Sequence, residues 1–353
     1  SIAGVGTDIG GSIRTPASFC GICGIKPTNS RWSNVGSQGV LKGQEHVRAQ
    51  CGPLARSVAD LTLLLRTLDT PKHAALDPLV PPFPIGDPAE VDLAGLRVGY
   101  YEDDGYFTPA ASMRRGVRVA AELLEAAGCA VERFTPPSVE ELVHLYFSGL
   151  TADGTATLWE ALDGEGFIAP LRTLGRIARM PAQARKGLAK ALGLMGEKRL
   201  EGMLLSLGEK RVKLFWTLVN RRTELRSEVL RAWDLAGIDV LLAPAYMTTA
   251  APIGMAHDFT LGFCDLARYN ILDFPAGVVP VTRVRPDETD RNTLNDRLDK
   301  RAAAIELASA GLPVGIQVVG RPWREDQVLA AMAGIEAGAK KREDFPTTPV
   351  DPR

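Results

Sequence analysis

The sequence predicts an α/β fold in which a mixed central β-sheet is covered by helices on both faces. Two observations carry this. Leu96 to Tyr101, Met113 to Ala127 and Val131 to Phe134 follow one another as strand, helix and strand, the rhythm of a parallel or mixed sheet with helical crossovers. Three further segments, Asp239 to Ala243, Ala276 to Val281 and Pro313 to Val319, are almost continuously apolar. A strand needs that character when both of its faces are buried. Together with Leu96 to Tyr101 they are expected in one sheet. The 353 residues, 45% hydrophobic and 24% charged, can bury such a core and exclude a disordered chain.

The elements follow in order. Residues 1–28 hold six Gly and two Pro with almost no charge, and read as a tight loop system. Residues 70–95 carry Pro71, Pro78, Pro81, Pro82, Pro84 and Pro88 and read as a surface excursion. The helix Met113 to Ala127 has Val117, Ala120, Ala121, Leu124 and Ala127 on one face, Ser112 as its expected N-cap and Gly128 just past its end. Residues 138–236 are expected to be mostly helical. Glu209 to Ala236 is the clearest stretch, with Val212, Phe215, Trp216, Val219, Leu225, Val229 and Trp233 as one apolar stripe and Gly237 as its stop. Ala302 to Ala310 and Glu325 to Ala337 read as short helices, and the tail from Phe345 is expected to fray.

Composition narrows the function. Lys plus Arg number 41 and Asp plus Glu 42, a net charge of −1, so no basic field draws in nucleic acid and no nucleic-acid partner is expected. Five Cys form no disulfide framework and leave an odd thiol, which favours a reducing compartment. No run of about 18 apolar residues is long enough to span a bilayer. The chain is therefore expected to be intracellular, either cytoplasmic or peripherally attached to a membrane. It opens on Ser1 in a small, apolar, neutral stretch that reads like the middle of a domain. Residues 1–353 are accordingly expected to be one domain that is incomplete at its N-terminus.

The strongest chemical signal is Gly6-Thr7-Asp8-Ile9-Gly10-Gly11-Ser12-Ile13-Arg14. A Ser that follows two Gly residues can sit among several backbone N–H groups aimed at one point, and the missing Cβ atoms let a carbonyl approach closely. A serine hydrolase needs this: Ser12 Oγ as nucleophile, with the N–H groups of Ile9, Gly10, Gly11 and Ser12 as an oxyanion hole. Each such donor stabilises the tetrahedral oxyanion by roughly 3 kcal/mol when judged by deletion. A bare Gly-Gly-Ser, taken alone, reads as a plain Gly-rich turn.

The longer string decides between the two. From Gly6 to Arg14, through Pro16 and on through Cys20-Gly21-Ile22-Cys23-Gly24-Ile25-Lys26-Pro27-Thr28, the sequence resembles the amidase signature family of serine hydrolases. Further stretches resemble it too: Asp77-Pro78 with Val80-Pro81-Pro82, Leu96 to Glu102, Asn270 to Thr282 and Leu312-Pro313-Val314-Gly315. Within the family the likeness is greatest to members that cleave fatty acid amides, and it is thinnest over 138–236. The resemblance implies the amidase-signature fold and a Ser-Ser-Lys triad with Ser12 as nucleophile. It implies Ile9, Gly10, Gly11 and Ser12 as oxyanion-hole amides, and Thr7, Asp8 and Arg14 as the residues that hold this loop. It also implies that the Lys base and the relay Ser lie upstream of residue 1, so that activity is expected only in a longer parent. Lys26 belongs to the family's Lys-Pro-Thr segment and is no substitute base. No cofactor is implied.

The remaining features have two readings each. Cys20 and Cys23 form a CxxC, which invites zinc or redox chemistry, but with no second pair and no His pair they read as packing residues. His46, His73, His144 and His257 are scattered without metal-ligand spacing, and no GxSxG elbow surrounds Ser12. Residues 171–196 carry Arg172, Arg176, Arg179, Arg185, Lys186 and Lys190 without an acid. Leu171, Leu174 and Ile177 line one short helix before Pro181, and Ala184, Leu188, Leu192 and Met195 line another. This is either a solvated face or a membrane-interface pattern. The resemblance favours membrane-cap helices over 171–206. It also points to Thr15, Tyr106 and Trp323 along a substrate channel, and allows a homodimer. The expected function is hydrolysis of hydrophobic fatty acid amides through an acyl-enzyme on Ser12. The alternatives are a small-amide amidase, the glutaminase subunit of a tRNA-dependent amidotransferase, or an incompetent amide-binding chain.

Overall fold

A computed structural model describes residues 1–37, 39–168, 172–256, 259 and 261–347. Strands β1 (Ala3–Asp8), β2 (Cys23–Lys26), β3 (Gln50–Ala55), β4 (Arg97–Tyr100), β5 (Ala130–Arg133), β6 (Val240–Pro244), β7 (Ala276–Arg283) and β8 (Pro313–Gly320) form one sheet in the order β1-β3-β2-β7-β8-β6-β4-β5. β4 runs parallel to β5 and β6, and every other neighbouring pair is antiparallel. The four strands expected in one mixed sheet are all in it.

The helices are α1 (Arg14–Cys20), α2 (Val58–Leu68), α3 (Pro71–Leu76), α4 (Ala111–Ala126), α5 (Val139–Leu150), α6 (Ala156–Leu162), α7 (Arg172–Ala178), α8 (Ala182–Leu194), α9 (Lys198–Ser206), α10 (Val212–Ala236), α11 (Cys264–Ile271), α12 (Arg297–Glu306) and α13 (Glu325–Ala339). They cover both sheet faces, and the period of two along the strands divides the core. Val240 and Leu242 of β6 and Val318 of β8 join α2, α4 and α13 in one cluster. Leu241, Ala243 and Val319 join α5, α10 and α11 in the other.

Several sequence expectations are corrected. Residues 1–28 are not a loop system: β1, α1 and β2 lie within them, and only residues 9–13 form the connection that carries Ser12. Glycine hides these strands because it lowers strand propensity, yet close backbone approach requires it. A Cβ at Gly52 of β3 would stand 2.1 Å from the Ile25 carbonyl oxygen. Ser112 is not an N-cap: α4 begins at Ala111, and Ser112 is buried inside its first turn. The Ala110 N–H instead donates to the Met247 carbonyl, so a tertiary bond sets where the helix starts. The helix placed over 302–310 is α12, which starts earlier, where the Asp296 carboxylate accepts the Asp299 N–H, and ends at Glu306.

α10 is shorter than Glu209 to Ala236, and its stripe is covered only toward the C-terminus. Leu225, Val229 and Trp233 are buried, whereas Val212, Trp216 and Val219 are exposed. Gly237 ends it in the left-handed conformation, as expected. Residues 138–236 are otherwise helical as read, from α5 to α10. α8 and α9 fold into a hairpin through Gly196, and α9 packs on α5. The expectation of a frayed tail falls largely on residues 348–353, and that for Leu171 on residue 171; both lie outside the described residues.

Candidate active site

Ser12 is exposed at the end of the β1–α1 connection. The connection is held by one carboxylate. Asp8, the last residue of β1, accepts the backbone N–H of Gly11 at 2.7 Å, of Ile13 at 3.2 Å and of Arg14 at 3.4 Å. Its charge is met by Arg14, whose Nε and Nη2 each donate to it at 3.0 Å. Both side chains are fully buried. Arg14 is in turn bonded by more distant residues: Nη1 donates to Gln317 Oε1 at 3.1 Å and Nη2 to Asn270 Oδ1 at 2.6 Å. Asn270 Nδ2 returns to Asp8 Oδ1 at 2.9 Å and to the Asp8 carbonyl at 3.1 Å. Burial pushes the Asp8 carboxyl up, but the Arg14 charge and hydrogen bonds, with Asn270, outweigh it and hold the group well below the usual carboxylate range.

The bracing constrains the two glycines. Gly11 has φ +121°, a region that favours glycine, and a Cβ there would lie 2.6 Å from Leu266 Cδ1. A Cβ at Gly10 would lie 2.3 Å from the Tyr146 hydroxyl. The Gly11 N–H is occupied by Asp8, while the N–H groups of Ile9, Gly10 and Ser12 stand outside the bonds that Asp8 accepts.

The other residues singled out in the sequence are distributed as follows. Thr7 is exposed on β1 opposite Cys51 and takes no part in the Asp8 bonds. Thr15 is the second residue of α1, and its N–H donates to the Gly11 carbonyl at 2.7 Å. Tyr106 packs in the apolar cluster that includes Phe263 and Leu266, the residues against Gly10 and Gly11. Trp323 is apart from it: it lies against Arg31, at 4.8 Å, and Phe83. Thr15 Oγ1 lies 3.0 Å from where a Cβ on Gly11 would stand, whereas Trp323 packs among other residues. Lys26 is buried, and its Nζ donates to the Pro27 carbonyl at 2.9 Å. Burial, with the Arg14 charge, brings its ammonium down to about 7. Cys20 and Cys23 are free thiols, one exposed and one buried. Among the described residues no cluster of His, Cys, Asp or Glu has the arrangement of a metal site. His257 lies outside the described residues.

Sequence reading missed Asn270, Gln317 and Tyr146. Gln317 left a signal: it is a polar residue inside the apolar run of β8, and a fully buried amide there must find partners.

The match to known proteins now has a geometry to rest on. A profile of the amidase family, described as Amidase, matches residues 1–329. The chain belongs to the amidase signature family. Its relatives within the amidase signature family include fatty-acid amide hydrolase 1 of Sus scrofa, 38% identical over 339 residues that cover 94% of this chain and 58% of that protein. Fatty acid amide hydrolase 1 of Caenorhabditis elegans is 31% identical over 347 residues, 95% of this chain and 59% of that protein. A solved fatty acid amide hydrolase superposes with a TM-score of 0.77 at 25% identity, covering 96% of this chain and 56% of the other. The chain thus spans less than three fifths of the length of these amidase signature relatives. The mixed eight-stranded sheet is the amidase-signature fold.

Proposed function

We propose that this chain carries the nucleophile half of an amidase acting on hydrophobic, fatty-acid-derived amides. The observation that carries it is the Asp8–Arg14–Asn270 bracing of a Gly-Gly-Ser loop, within a family whose relatives named above are fatty acid amide hydrolases. Ser12 Oγ attacks the amide carbonyl and its proton passes to a base. The carbonyl oxygen becomes an oxyanion facing the N–H groups of Ile9, Gly10 and Ser12. Collapse expels the amine, which takes up the proton and leaves an ester on Ser12. A water molecule then adds to that ester and releases the carboxylic acid. By family resemblance the base is a Lys that acts through a relay Ser. Lys26 is not assigned this task, since its Nζ is turned to the Pro27 carbonyl.

The apolar surroundings favour a fatty acyl group. Leu266 and Phe263 border the two glycines and belong to a cluster with Phe107, Phe259, Met203 and Leu204. Each methylene taken from water into such surroundings contributes about 0.8 kcal/mol. In the longest natural form of the protein, kcat/KM for a long-chain primary amide is expected to exceed that for acetamide or glutamine by at least about 100-fold, two buried methylenes contributing roughly tenfold. A panel of amides of rising chain length measures this. Equal or greater efficiency on glutamine would favour the amidotransferase reading, and no hydrolysis of any amide would favour a binding chain.

Access to such a substrate involves α7–α9. On α8 the inward face is Ala189 and Gly193, and Arg185 donates to the carbonyls of Met180 and Leu207. That leaves Ala184, Leu188, Ala191 and Met195 as an exposed stripe beside Lys186 and Lys190, with Leu194 91% exposed at the turn. Leu192, expected in the stripe, instead packs inward. An exposed apolar stripe flanked by cations fits the surface of an anionic membrane. Flotation with phosphatidylserine-containing vesicles is expected to recover the protein. A variant with Lys186→Glu, Lys190→Glu, Leu188→Ser and Met195→Ser is expected to bind at least tenfold less. Undiminished binding by a folded variant would return this hairpin to an ordinary solvated face.

A further inference from the structure

Tyr146 lies on α5, far from Ser12 in sequence, and its side chain reaches the Gly10–Gly11 turn. Its ring is fixed from two sides, edge-on to Phe147 at 5.4 Å and to Phe263 at 5.9 Å. The residue is buried. Its hydroxyl stands where a side chain of Gly10 would be, and among the described residues it makes no hydrogen bond. Among the other tyrosines, the Tyr101 and Tyr269 hydroxyls bond each other at 3.0 Å, and Tyr106, whose hydroxyl is also without a partner, packs edge-on to His144.

The loop itself has one donor fewer than its sequence offers, since the Gly11 N–H is held by Asp8 at 2.7 Å. We infer that the Tyr146 hydroxyl is a side-chain donor of the oxyanion site, pointing its O–H at the oxygen that becomes negative when Ser12 attacks and standing in for the committed Gly11 amide. The inference rests on Ser12 as nucleophile. Burial pushes the phenol up, with the Asp8 charge adding to it, so the O–H is retained over the whole working pH range. A donor fixed by packing before the substrate arrives needs no reorganisation in the transition state, and such donors act on kcat rather than on substrate binding.

The test compares wild type, Tyr146→Phe and Ser12→Ala in the longest natural form of the protein. Tyr146→Phe keeps the ring and its packing and removes one hydroxyl that bonds nothing in the described structure, so its thermal midpoint is expected to stay within about 1 °C. Its kcat on a long-chain amide is expected to fall on the order of 100-fold, the loss typical of one oxyanion donor, with KM changed less than about twofold. Affinity for a long-chain trifluoromethyl ketone, which adds the nucleophile to form a tetrahedral oxyanion, is expected to fall in parallel. Affinity for the product fatty acid is expected to be unchanged. Wild-type kcat in Tyr146→Phe, or equal losses for the ketone and the fatty acid, would overturn the assignment. So would a large drop in the thermal midpoint, which would make the hydroxyl a structural group. If Ser12→Ala retains turnover, the reading beneath fails with it. If Ser12→Ala is dead and Tyr146→Phe is fully active, only the tyrosine assignment fails.

Discussion

Replacing Ser12 with Ala is expected to lower amide turnover in the longest natural form of the protein on the order of 10⁶-fold, the scale seen when the nucleophile of a serine hydrolase is removed. Ser12 is exposed, so the loss comes without a folding penalty, and the unfolding transition of the variant is expected to overlay that of wild type. Ser12→Cys keeps a nucleophile at the same place but changes its size and acidity, and is expected to leave a small residual rate. Turnover by Ser12→Ala within a factor of ten of wild type would exclude Ser12 from the chemistry.

Asp8→Ala is expected to produce the largest loss of stability of any single substitution at this site. It removes the acceptor of three loop N–H groups and leaves the Arg14 guanidinium buried without its carboxylate. Breaking a buried ion pair from one side costs roughly 3–5 kcal/mol. Asp8→Asn keeps the shape and part of the acceptor capacity, and is expected to lose less. The acid limb of the stability curve provides an independent check. The Asp8 carboxyl is held below its unfolded value, so its contribution is fully present above about pH 4 and is lost as the pH falls toward the folded-state value. Denaturant unfolding between pH 7 and pH 2 is therefore expected to show a steeper acid loss in wild type than in Asp8→Asn. Identical slopes would show that Asp8 carries no such linkage.

The sheet was largely readable because strands buried on both faces are almost continuously apolar, as in β6, β7 and β8. β1, β2 and β3 were not. They carry polar or charged residues such as Thr7, Asp8, Lys26 and Gln50, so no continuous apolar run marks them, and they depend on partners elsewhere in the chain: β2 lies between β3 and β7. α10 shows the opposite failure. A period of 3.6 reveals an apolar face but not whether anything covers it, and the half that bears Trp216 is open.

At the site, the local string from Asp8 to Arg14 announced itself, because the carboxylate, the glycines and the arginine that serve one turn are adjacent in sequence. Of the groups that complete it, Gln317 left only its polarity inside β8 and the others left no local mark, for a physical reason. Asn270 and Gln317 reach Arg14 across 256 and 303 residues, and Tyr146 arrives on a different helix. No local pattern encodes such contacts. The same holds for Trp323, whose neighbours Arg31 and Phe83 are distant in the chain and draw it away from the loop.

The central claim is that Ser12 becomes covalently acylated. It is tested most directly by treating the longest natural form of the protein with a fluorophosphonate, digesting it, and locating the adduct by tandem mass spectrometry. The account predicts one stoichiometric phosphonyl group on Ser12 Oγ, absent from Ser12→Ala. An adduct on another residue, or equal labelling of Ser12→Ala, would contradict it.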